Sequence, residues 1–178
     1  MSVVTAREFW LLFHIGVGVA FLHVFAGGVA TLLQSSTTRI RETRLKHLVR
    51  VWSTALMAAL VWLAVLTGTW IVYPGYRAEP PPGADLAAYP RAALLADTDL
   101  AFWHTFGMEW KEHVAWMAPF LATAVAFVVL RYGPLVTRDE QLRSGLTRLF
   151  LISATVSLIA ASLGAIINKV APNLFLDL

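Results

Sequence analysis

Cysteine is absent from the 178-residue chain. Disulfides, thiolate-held iron–sulfur clusters and covalently attached c-type haem are therefore excluded. Charge is also scarce. Asp, Glu, Lys and Arg make up 14% of the residues, against about 25% in a soluble domain, while 58% are hydrophobic. Such a composition describes a membrane protein. No phosphate-cradling glycine loop, catalytic triad or clustered metal motif is present, so the chain is not expected to be an enzyme on its own. The net charge of +3 does not point to nucleic acid, because the basic residues fall in short loops between apolar runs.

Four apolar runs stand out, at about 8–33, 48–73, 108–130 and 148–170. Each reaches the roughly 20 residues that cross about 30 Å of hydrocarbon. Helices satisfy their own backbone there, as lipid requires. The expectation is an all-α, integral membrane four-helix bundle, with residues 1–178 forming a single transmembrane domain. The first run is longer than the apolar core of a signal peptide and is expected to stay uncleaved. Arg39, Arg41, Arg44, Lys46 and Arg50 follow the first run, and Arg131, Arg138, Arg143 and Arg148 follow the third. These nine of the fourteen basic residues mark one side as cytoplasmic. Both termini then lie on the outer, periplasmic side of a prokaryotic inner membrane crossed several times.

The outer connection, 74–107, opens on a Pro- and Gly-rich stretch expected to be extended. Residues 86–95 predict a short helix lying on the membrane surface. Asp97 or Asp99 is placed to cap the helix that follows. A connection of this length points to a lid or a docking surface rather than a passive linker.

Depth along the helices brings out the polar residues. At 1.5 Å per residue, His14 lies about 28 Å and His113 about 26 Å from the cytoplasmic ends of the first and third spans. Two imidazoles at one level on different helices suit the axial positions of a haem b. Glu109, one turn before His113, is placed to take its second ring proton. Lys169, Arg7 or Arg91 can meet the propionates. Glu112 and Lys111 are expected at the wet rim, His104 in water and His47 among headgroups. Interfacial anchoring is the competing explanation for the whole cluster, with Trp103, Trp110 and Trp116 as its aromatic belt.

His23 lies near mid-depth, about 15 Å up. A polar group there is costly and is a functional candidate. It shares a face with Gly16, Ala20, Gly27 and Ala30, where small residues admit another helix or a flat ring. It either bonds Ser153 or Ser157 or serves as an alternative iron ligand, with Met117 about 4 to 5 Å higher.

The four-span plan with His14 and His113 as a cross-helix pair resembles the b-type cytochrome membrane anchors of respiratory complexes. That resemblance implies an electron-transfer subunit carrying haem b, exchanging electrons with a quinone near the outer surface and working beside other membrane or periplasmic subunits. A haem-free structural subunit is the alternative. A proton or small-ion path through Glu109, Glu112 and His113 is a third, with only His23 to continue it through the apolar centre.

Overall fold

The computed structural model describes residues 6–37 and 44–171. Among these the structure is helical, with four helices long and apolar enough to cross a membrane: Glu8–Leu33, Arg44–Tyr76, Trp103–Arg138 and Glu140–Val170. The first lies within α1 (Ala6–Thr37). The second joins α2 (Arg44–Thr67), a π-helical turn (Gly68–Val72) and α3 (Tyr73–Tyr76). Within the long connection lies α4 (Pro90–Ala96), followed by a second π-helical turn (Trp103–Met108) and α5 (Glu109–Val114). Then α6 (Met117–Arg138) and α7 (Glu140–Val170) complete the chain of helices. This is a multi-pass membrane protein in contact with lipid.

The spans adjoin in a ring: α1 on α2, α2 on α6, α6 on α7, and α7 back on α1. Their shared core joins Phe21 and Leu32 of α1, Met57 and Val61 of α2, Ala122 and Val125 of α6, and Phe150 of α7. A single glycine sets the approach of α1 to α7. A Cβ on Gly28 would lie 2.8 Å from Cε1 and Cζ of the fully buried Phe150 ring. Across α2 and α6, the Trp62 indole N–H donates to Thr123 Oγ1 at 2.9 Å.

The helices run further than the apolar runs predict. Arg44 to Val51 and Arg131 to Arg138 are helical, because charged residues beyond the hydrocarbon carry no penalty in a helix. The expected loop between the third and fourth spans reduces to Asp139, whose Oδ1 accepts from Leu142 N at 2.9 Å. Pro134 breaks the regular path of α6, and Tyr132 takes a non-helical φ of −125° and ψ of 25°. The His47 ring fills the space above Gly133 at this bend. His47 is half-buried there. Arg39 and Arg41, expected in the basic loop, lie outside the described residues.

The long connection folds back over one end of the helices, here the loop end. Leu94 is completely buried there with Tyr76, Met108, Ile167 and Ala171. The surface helix expected over 86–95 is broken. Leu86–Ala88 form one 3₁₀ turn, Tyr89 is non-helical, and α4 begins at Pro90. Proline disfavours helix in the residue before it and suits a first helical position, so the break falls at Tyr89. Asp97 does hold the next turn, its Oδ1 accepting from Asp99 N at 2.8 Å.

Candidate functional site

Polar side chains collect inside the loop end, where the second and third spans each carry a π-helical turn. Such turns shift the facing of every following residue and recur at functional sites. His14 enters this region from α1. Its Nδ1 is 3.1 Å from Thr67 Oγ1. The Thr67 hydroxyl donates to Leu63 O at 2.7 Å, so Nδ1–H is the donor to Thr67, and the Ala64 backbone carbonyl also accepts from the His14 ring. The imidazole lies against Gly68, where a Cβ would approach Cε1 to 2.9 Å. Glycine at that position makes room for the ring.

The charge that acts on His14 is Lys111 of α5. Lys111 turns inward and passes Gly164 of α7, where a Cβ would lie 2.7 Å from Nζ. Beside it, the Tyr73 hydroxyl lies within reach of the Glu112 carboxylate but outside ordinary hydrogen-bond geometry. Tyr73 Oη and Glu112 Oε1 are both buried and without another hydrogen-bond partner. Buried polar atoms are normally satisfied, so an incomplete set of this kind asks for a water, proton or ligand. Nearer the connection, Tyr76 Oη and His104 Nδ1 are 2.9 Å apart and both residues are buried. His104 is thus packed under α4, not solvated as the sequence suggested. Arg77 Nη2 approaches Glu109 Oε1 at 3.8 Å on the exposed edge.

His14 and His113 have different partners and different exposure. Lys111 and His113 stand two positions apart, about 200° around a helix. With Lys111 turned into the helices, His113 faces out and is exposed. Its Nδ1–H donates to the backbone oxygen of Glu109 at 2.7 Å. The orienting group is therefore the Glu109 carbonyl, while its carboxylate turns to Arg77. His23 repeats the arrangement: it is exposed, and its Nδ1–H donates to Val19 O at 2.9 Å. The expected bonds from His23 to Ser153 or Ser157 are not made. Ser153 donates to Ala118 O at 2.8 Å and Ser157 to Ser153 O at 2.9 Å. The small-residue face around His23 is open, with no atom within 4 Å of a Cβ built at Gly16 or Gly27. Lys169 is exposed on the last turn of α7. Arg91 is partly buried near His104, its Nε without a hydrogen-bond partner. The Arg7 side chain lies outside the described residues.

These placements bear on haem. An iron-binding imidazole keeps one nitrogen bare and holds the other proton on a fixed acceptor. His113 and His23 meet that condition with Nε2 free and the ring exposed. His14 is hydrogen-bonded to Thr67 and Ala64 and shares its surroundings with the Lys111 cation. Among the described residues, no three His, Asp or Glu side chains converge on a metal-ion site. Sequence reading missed Thr67, Tyr73 and Tyr76 and misassigned Lys111 to the rim. Gly68 and Gly164, glycines within helical spans near the level of His14, were the available signal that bulky polar groups are accommodated there. Comparison with family models, with curated proteins and with solved structures finds no match.

Proposed function

We propose that the chain is a membrane-embedded electron-transfer subunit that holds haem b at His113, on a face shared with a neighbouring subunit. One observation carries this reading: the exposed His113 ring has its Nδ1 proton fixed on Glu109 O, which leaves Nε2 bare and directed away from the helices. When bound, the haem supplies one-electron transfer. His113 would hold the haem through Nε2, and the Glu109 carbonyl fixes the tautomer that leaves that nitrogen available. A second ligand would come from a neighbouring chain packed on this exposed face. Lys169 is exposed at the same end and is available to a propionate. His23, with the same locked geometry, is the alternative ligand.

The interior cluster has a separate part in this proposal. Glu112 and the His14 imidazole can accept protons, while Lys111 and Tyr73 can donate them. Such a set suits the carbonyl and hydroxyl groups of a quinone–quinol pair, whose oxidation and reduction move protons with electrons. The basic end of the helices faces the cytoplasm, which puts this cluster at the outer side of a prokaryotic inner membrane.

A haem-free structural subunit is the second reading, supported by the uncovered Gly16–Ala20–Gly27–Ala30 face of α1, which suits close packing against another helix. Pyridine haemochrome analysis of the purified assembly separates the two. At least one haem b for each copy of this chain is expected, and none would leave the structural role.

A further inference from the structure

At the end opposite the long connection, a recess of about 190 Å³ opens between α1 and α7. Leu32 and Leu33 form its α1 wall. On α7 it is lined by Arg143, Ser144, Thr147 and Arg148, with Glu140 at its edge. The α7 positions recur at three- and four-residue intervals and so form one polar stripe. Arg50 of α2 is buried behind them, close enough for the charge of Arg143 to act on it. Arg143 and Arg148 therefore present two guanidiniums to the recess, faced by the single carboxylate of Glu140 among the lining residues. Like charges in a partly desolvated corner repel, and an anion there offsets that cost. The contact of Arg143 Nη1 with Thr137 O is long, at 3.5 Å, so it leaves the fork able to serve another acceptor.

We propose that this recess binds the phosphate of an anionic phospholipid. Guanidinium forks match phosphate oxygens and make charge-assisted bonds to them. The apolar half of the recess argues for a lipid over a soluble phosphate ester. Leu33 is 53% exposed and closes the first span, which sets the recess at headgroup level. Leu151 and Ile152, exposed one turn further along α7, continue an apolar surface for acyl chains. Basic pockets between membrane helices select anionic headgroups in this way. The site is independent of the haem proposal.

The test is a lipid titration of the delipidated full chain in detergent, read by native mass spectrometry. The probes are phosphatidylglycerol, phosphatidylcholine and inorganic phosphate. Arg143→Gln with Arg148→Gln should weaken phosphatidylglycerol binding by about tenfold or more, the loss of two charge-assisted contacts. Arg131→Gln with Arg138→Gln, exposed arginines at the same end, should change it by less than about twofold. Phosphatidylcholine should bind about tenfold more weakly, and millimolar inorganic phosphate should not displace the lipid. Equal losses in both double variants, or equal binding of the two lipids, would overturn the proposal. Displacement by inorganic phosphate would overturn the lipid assignment. If the glutamine pair does not fold, Arg143→Lys with Arg148→Lys decides: it keeps charge but loses the fork, and undiminished binding refutes the site.

Discussion

His14 and Gly68 form a lock that a double-variant experiment can measure. An alanine Cβ at position 68 would lie 2.9 Å from the His14 ring carbon Cε1. The ring cannot swing aside freely, because its Nδ1 is held by Thr67 Oγ1 at 3.1 Å. Overpacking of this kind costs about 1–3 kcal/mol. Alanine recovers about 0.5–1 kcal/mol over glycine in a helix. The net loss for Gly68→Ala is therefore up to about 2.5 kcal/mol, or up to about 10 °C in apparent Tm for a chain of this size. Tryptophan fluorescence during a heat scan in detergent, at one fixed scan rate, is a suitable assay. In a His14→Ala background the overlap is gone, so adding Gly68→Ala should raise stability by about 0.5–1 kcal/mol. The coupling between the two positions is then about 1–3 kcal/mol. If Gly68→Ala destabilises the His14→Ala protein as much as the parent, the ring does not occupy that space and the interior site is wrongly drawn.

Three further outcomes follow from the packing and the topology. Gly28→Ala should lower stability by about 1–3 kcal/mol through its 2.8 Å approach to Phe150, and Phe150→Leu should relieve it in the double variant. Tyr76→Phe should cost about 1–3 kcal/mol, since it strips the buried His104 Nδ1 of its partner at 2.9 Å; unchanged thermal stability would show that the pair is not formed. A cysteine placed at the exposed Pro82 and another at the exposed Arg138 should label from opposite sides of the membrane, with Arg138 cytoplasmic. The absence of native cysteine makes that experiment clean.

The four spans were legible in the sequence because crossing lipid demands long apolar runs, and no folding detail can remove that demand. Their ends were less legible. Arg131 to Arg138 look like a loop by charge, yet a charged stretch beyond the hydrocarbon extends a helix readily. The site was only half visible. Depth placed His14 and His113 at one level, but depth carries no information on facing. Around α5 the facing is fixed by helical phase, which the π-helical turn at Trp103–Met108 resets and which apolar periodicity cannot reveal. Phase turns Lys111 in and His113 out. His104 was misjudged for a different reason. Its burial depends on α4 folding back over residues distant in sequence, with Leu94 completely covered, and a local reading of charge sees only its polar neighbours.

The proposed function assigns His113 to haem and His14 to the interior polar set. The most direct measurement is the visible and electron paramagnetic resonance spectrum of the assembly purified with each single variant. His113→Ala should abolish the low-spin b-type signal or convert it to high-spin, because one imidazole cannot fill both axial positions. His14→Ala should leave a low-spin signal. If His113→Ala leaves the low-spin spectrum unchanged, His113 is not the ligand. If His14→Ala and His113→Ala abolish it equally, the two imidazoles bind one haem within the chain, contrary to the arrangement described here.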